Sequence, residues 1–239
     1  MIHRLAPAHK IAAVLLFVLV VVATPREQFW AFGLFAILLM GSAFAARLRT
    51  TLVLRRLTIE IPFVVFALFL PFLAGGERVD LGPLALSVDG LWAAWNVLAK
   101  GTLGVLASVV LTATTPVAEL IRGLQALRVP PLFTSIASFM VRYAEVIAGE
   151  MRRMKVARES RGHNPRWIWQ IRAIAASAGT LFVRSFERGE RVHLAMLSRG
   201  FTGSMPVTQA SEPPRWSFVT SASLPAVAIV IATAAWISS

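Results

Sequence analysis

Five apolar runs, at 11–23, 27–45, 58–74, 91–115 and 217–237, constrain this chain more than any other feature. Runs of this kind, separated by short polar turns, are what a bilayer-crossing helical chain needs. With 56% hydrophobic residues and a mean hydropathy of +0.68, the chain reads as an all-α polytopic membrane protein with about five transmembrane helices. His3, Arg4, His9 and Lys10 precede the first run as in a signal peptide. No small-residue cleavage site follows, and another apolar segment starts at Phe29, so the first helix is expected to be retained. The absence of cysteine leaves neither disulfides nor thiolate metal sites.

Charge sets the expected sidedness. Thr24-Pro25-Arg26-Glu27 is too short for anything but a tight hairpin between the first two runs. Arg47, Arg49, Arg55 and Arg56 crowd the next loop, which places that loop in the cytoplasm by the positive-inside rule. The N-terminus then lies in the cytoplasm as well. The 75–90 loop, with Glu77, Asp80 and Asp89 against Arg78, lies outside, 116–216 lies inside, and Ser239 lies outside. Three regions are expected: a membrane domain at 1–115, a cytoplasmic insertion at 116–216, and a last transmembrane helix at 217–239.

Two long helices are expected in the insertion. Leu132, Ile136, Met140, Tyr143, Ile147, Met151 and Met154 recur at steps of three and four, one face of a helix over 132–161. Its first half is apolar on the other faces too, whereas Arg142, Glu145, Arg152, Lys155 and Glu159 turn the second half toward water. A second helix is expected to start at Asn164-Pro165, an N-cap followed by a proline whose missing N–H costs nothing there. Ile171, Ile174, Ala178, Leu181, Val192 and Met196 form its stripe, Glu187 and Arg191 a favourable i,i+4 pair. Ala175 to Gly179 are small enough for another helix to cross closely.

Both helices end on the same words, Ser160-Arg161-Gly162 and Ser198-Arg199-Gly200. Glycine past a helix end takes the left-handed conformation without strain, and arginine in the last turn suits the negative end of the dipole. That reading explains one such ending; two matched endings on basic helices point to an additional task for the arginines. Between Arg122 and Arg199 there are 14 Lys/Arg and 5 Asp/Glu, a net +9 of the chain's +12. Such a surface suits anionic lipid headgroups or an acidic protein partner. Nucleic acid is excluded as a partner by the lack of any recognition motif and by the flanking spans.

Catalytic constellations are missing from the sequence. His3, His9, His163 and His193 are scattered, and there is no G-x-S-x-G, H-E-x-x-H or phosphate-binding glycine loop. No cofactor is expected, and a nucleotide-driven task would require another subunit. Lys100, inside the fourth run after Trp92 and Trp95, is either a transport-site cation or, the reading preferred here, a lysine snorkelling to the headgroups.

At this point the residues carry a resemblance. Thr114-Thr115-Pro116, Leu120-Ile121-Arg122-Gly123-Leu124, Val129-Pro130-Pro131, Val141-Arg142-Tyr143, Ala157-Arg158-Glu159-Ser160-Arg161-Gly162 and Ala195-Met196-Leu197-Ser198-Arg199-Gly200-Phe201 resemble the transmembrane T component of energy-coupling factor ABC transporters. Phe182 through Val192 is similar to the cobalt/nickel, CbiQ-type branch. The detailed match covers roughly residues 112–203 and the hydropathy pattern extends it over the chain.

The resemblance implies a non-catalytic subunit of a bacterial inner-membrane importer, with the insertion supplying long coupling helices. Its partners would be two ATP-binding cassette ATPase subunits and a substrate-binding membrane subunit (an S component, CbiM-like), with or without a small accessory membrane subunit, all in the lipid bilayer. Ser160, Arg161, Gly162, Ser198, Arg199 and Gly200 would dock on the ATPases, supported by Ala157, Arg158, Ala195 and Phe201. The family commonly carries Ala before the Arg, where this chain has Ser both times. Cobalt or nickel is the expected cargo, with a vitamin such as biotin as the alternative. A membrane-bound lipid-modifying enzyme is the competing class.

Overall fold

Helices follow the apolar runs. The computed structural model describes residues 5–75, 78–81, 84–162, 171–203 and 215–238. In chain order they form α1 (Pro7–Ala23), α2 (Phe29–Ala45), α3 (Thr50–Leu57), a 3-10 turn (Thr58–Glu60) and α4 (Ile61–Leu73). Then come α5 (Val88–Thr114), α6 (Val117–Ala126), α7 (Pro131–Ser160), α8 (Ile171–Leu197) and α9 (Arg215–Ile237). Between α4 and α5, β1 (Arg78–Leu81) pairs antiparallel with β2 (Leu84–Ser87), Arg78 opposite Ser87. This small ribbon sits in the loop expected at 75–90 and leaves the all-α architecture of the chain unchanged.

The molecule is a polytopic membrane protein. Among the described residues, Thr50–Leu73, Val88–Thr114, Pro131–Ser160 and Thr220–Ile237 are long and apolar enough to cross a bilayer. α1 and α2 are shorter apolar helices of 17 residues each, at the lower limit of a spanning length. One expectation needs correction: Arg55 and Arg56 are not in a loop. They lie on α3, which runs through the 3-10 turn into α4, so the third span begins near Thr50 rather than at 58. The amphipathic Thr-Thr-Leu-Val-Leu-Arg-Arg-Leu pattern is compatible with helix, and arginines in a last turn suit the helix dipole.

Two compact units are present, Met1–Gly123 with Ala210–Ser239, and Leu124–Gln209. In the first, Phe17 and Val21 of α1 share a buried cluster with Ala31, Phe32, Phe35 and Leu39 of α2. Leu103 and Ala107 of α5 and Ala228, Ala232 and Ala235 of α9 complete it. The Phe17 and Phe35 rings meet edge-on with centroids 5.8 Å apart. The alanines recur at helical spacing, so one face of α9 stays thin enough for close packing. Glycine matters at two crossings. A Cβ on Gly90 would lie 2.6 Å from the Leu70 carbonyl oxygen, and one on Gly123 would lie 2.7 Å from Ile11 Cδ1 and 2.9 Å from the Pro7 carbonyl carbon.

Polar side chains inside this unit tie helices end to end. Lys10 is buried and donates to the Thr114 carbonyl (3.2 Å) and to Thr115 Oγ1 (3.4 Å), placing a cation at the negative end of α5. Lys100 donates to the Val22 carbonyl at 2.7 Å, in the last turn of α1. Its ammonium therefore joins α5 to α1, a third outcome beside transport site and free snorkelling. Glu60 is buried and accepts from Thr102 Oγ1 at 2.7 Å.

Candidate functional site

The second unit is built on α7 and α8. α7 runs from a proline at its first position to Ser160, as the three-and-four spacing predicts. Asn164 and Pro165, the expected start of the next helix, lie outside the described residues; α8 is described from Ile171.

Both helix ends put a glycine in the left-handed conformation. At the second, the Gly200 N–H donates to the Leu197 carbonyl and the Phe201 N–H to the Met196 carbonyl, each at 3.0 Å, with Gly200 at φ +81°. That pair of bonds is a Schellman closure, which needs a residue free to adopt the left-handed conformation. At the first, the Gly162 N–H donates to the Glu159 carbonyl at 2.9 Å, with Gly162 at φ +78°. The serines match too. Ser160 Oγ donates to the Ala157 carbonyl and Ser198 Oγ to the Ala195 carbonyl, both at 3.0 Å. The hydroxyls fold back on their own helices, which is the physical reason that serine can occupy a position where the resemblance leads one to expect alanine.

With glycine closing the helix, arginine is left over. Arg161 and Arg199 are exposed, and among the described residues neither guanidinium makes a hydrogen bond or an ion pair. Exposed apolar groups stand nearby in sequence: Val156 before Arg161, and Leu194 and Leu197 before Arg199. Ala157 and Ala195 are exposed and small, and Phe201 is half-buried as it closes the second cap. Arg158 is half-buried and its Nε has no hydrogen-bond partner. Lys155 pairs with Glu159 at 3.7 Å, and among the described residues no acid pairs with Arg158 or Arg161.

What holds the two helices together is a group that the sequence reading passes over. Glu150 on α7 is buried (8% exposed) and accepts from two arginines of α8, Arg184 at 3.1 Å on Oε1 and Arg188 at 3.2 Å on Oε2. The expected Glu187–Arg191 pair is not among the ion pairs of the described residues; the pairs on this face of α8 run between helices instead. A signal for this was present. Two like charges at i,i+4 destabilise a helix unless an acid answers them, and Arg184 and Arg188 have that spacing. The small stripe at Ala175 to Gly179 is largely exposed, so no helix of the described structure covers it.

Beside the clamp lies a cleft of about 340 Å³. Phe139, Tyr143 and Ile147, before Glu150 on α7, face Ser185 through Met196, after Arg184 on α8. The helices thus pass in opposing senses, and Arg161 and Arg199 extend from the clamp in opposite directions. The structure keeps the two endings apart rather than joining them in one site. No group of three or more metal-ligating side chains occurs among the described residues.

Known proteins carry similar sequences. A family model described as "Cobalt transport protein" (CbiQ) matches residues 1–209. An uncharacterized protein of Methanocaldococcus jannaschii, MJ1089, is 30% identical over 48% of this chain, a match spanning 43% of that relative's length. The cobalt transport protein CbiQ of Rhodobacter capsulatus is 30% identical over 60% of this chain and 61% of its own. The energy-coupling factor transporter transmembrane protein EcfT of Listeria innocua is 25% identical over the whole chain and 94% of its own length.

Proposed function

From the premise that this chain belongs to the CbiQ family of cobalt transport proteins, transmembrane T components of energy-coupling factor transporters, we propose how it works. It is the coupling subunit of an importer, not itself the ATPase. Arg161 and Arg199 each dock on one of two ATP-binding cassette subunits, with Ser160, Gly162, Ser198 and Gly200 shaping the ends that enter. A CbiM-like membrane subunit supplies the substrate site, and cobalt or nickel is the cargo. In this reading 116–216 lies in the cytoplasm with the N-terminus, and Ser239 lies outside.

The observation that carries the reading is the pair of matched caps that leave both guanidiniums without a partner. A guanidinium is well suited to a bidentate bond with a carboxylate in an apolar groove. Removing one partner of such a buried pair costs roughly 3–5 kcal/mol. Two opposed ends also fit two separate ATPase subunits better than one.

Copurification of ATPase and uptake in Arg161→Ala, Arg199→Ala, the double variant and the Lys variants test this. Each single alanine variant is expected to keep ATPase and lose most uptake, because the other end still holds. The double variant is expected to lose both. Lys should rescue poorly, since an ammonium lacks the planar fork. A double variant that binds ATPase and transports at the wild-type rate reduces Arg-Gly to a helix stop.

A second cargo reading has one observation in its favour. The relative matched over the whole chain is an EcfT, a name that specifies no cargo. Uptake of radioactive cobalt against radioactive biotin, with the chain's own partner subunits, separates a metal importer from a vitamin importer.

A further inference from the structure

We infer that Glu150, gripped by Arg184 and Arg188, is the fulcrum about which α7 and α8 tilt during transport. The inference rests on the proposed docking function and assigns the positioning residue that function needs.

The geometry favours tilting and resists sliding. Each carboxylate oxygen of Glu150 takes a different arginine, and the two arginines stand one helical turn apart on α8. Sliding α8 by a turn of about 5.4 Å would place a single arginine beside the acid and strand the other. Tilting about the carboxylate keeps both bonds. The apolar contact beside the clamp is a loose one. Phe139, Tyr143 and Ile147 on α7 and Val192 and Met196 on α8 line an open cleft and are only half-buried, so they yield to a tilt more readily than an interlocked core would. The cleft beside the clamp gives the helices room to close.

The clamp also divides the levers evenly at the docking ends. Eleven residues separate Glu150 from Arg161 and eleven separate Arg188 from Arg199, about 16 Å of helix in each case. On α7 the opposite arm is longer, nineteen residues back to Pro131, or about 28 Å. A push delivered at Arg161 therefore arrives at the other end of α7 enlarged about 1.7-fold. Both bonds centre on one carboxylate, so a push at either end turns the helices about the same point.

The experiment uses the membrane complex with its own ATPases. It compares Glu150→Gln, the charge-reversed triple variant Glu150→Arg/Arg184→Glu/Arg188→Glu, and Arg161→Ala/Arg199→Ala as the docking control. The chain contains no cysteine, so spin labels at Val146→Cys and Arg191→Cys report the distance between the helices directly. Glu150→Gln is expected to keep ATPase copurification within twofold while uptake falls at least tenfold and the label distance distribution broadens. The charge-reversed variant is expected to recover at least a third of wild-type uptake. The fulcrum is overturned by a Glu150→Gln complex that transports within twofold of wild type or keeps a narrow distribution. It is equally overturned if Glu150→Gln sheds the ATPases, or if charge reversal recovers nothing. Undiminished ATPase binding in the docking control brings down the docking reading itself, an outcome distinct from failure of the clamp alone.

Discussion

The two units of this molecule are held together by opposite means. The first unit packs aromatic rings against alanine and glycine faces, with Phe17 and Phe35 fully buried and Gly90 and Gly123 at crossings that admit no Cβ. The α7–α8 unit leaves Met140, Phe182, Phe186 and Leu194 in the open and joins its helices through a carboxylate between two arginines beside a half-buried apolar seam. Lipid tails are as apolar as leucine, so packing rather than hydrophobicity holds a membrane bundle together. Among the described residues no third layer covers the outer faces of the two-helix unit, so its apolar side chains are left for lipid or another protein to cover. The first unit is a packed bundle, and the second is a pair of rods joined at a clamp.

Substitutions of equal chemistry should separate the two units. Phe17→Ala should be the most damaging, removing about 3–5 kcal/mol through a cavity in the α1–α2–α9 cluster. It should be read as a lowered melting temperature of the purified chain. Next, Gly90→Ala forces a methyl onto the backbone of Leu70 and Pro71 and should cost about 1–3 kcal/mol. Unchanged thermal stability in that variant would show that α4 and α5 are not as tightly crossed as described.

Lys10→Met should cost about 1–2 kcal/mol, because it strips the Thr114 carbonyl and Thr115 hydroxyl of their donor. A stability rise in that variant would mean that the charge, not the lost bonds, dominates there. The smallest effect is expected from Phe186→Ala in the second unit. Phe186 is 66% exposed, so the isolated chain should change by less than about 0.5 kcal/mol. Assembly with partner subunits, measured by copurification, should nevertheless suffer. A large loss of stability in the isolated chain would break the comparison, since it would reveal a packed core where the side chain is now open.

Much of the candidate site was legible along the chain. Gly162 and Gly200 each occupy the left-handed position that their place after a helical run foretells, and the serines and alanines of the two endings repeat one hydrogen-bond pattern. The α7 stripe from Leu132 to Met154 forms a helix, but Leu132, Ile136, Met140 and Met151 stay exposed, so periodicity identified the face without saying what covers it. Glu150 was passed over because an apolar count does not register a charged residue, although it stands three residues after Ile147 and four before Met154 and so shares their face. Arg55 and Arg56 were read as loop because a charge cluster resembles a break in hydropathy, whereas arginine is itself a good helix former.

By itself, then, the sequence left α3 and α6 unforeseen but determined the helical membrane class, the run of most of the apolar helices to within about a turn, and the two Arg-Gly endings. These depend on interactions within about four residues, where hydropathy, caps and backbone preference act directly. Tertiary structure alone decided the partners of the buried ions. Lys10 finds its carbonyl 104 residues away, Glu60 its hydroxyl 42 away, and Glu150 its two arginines 34 and 38 away. A charge withdrawn from water is stabilised by a complement wherever packing brings one, and that meeting is made by the crossing of helices rather than by any local pattern.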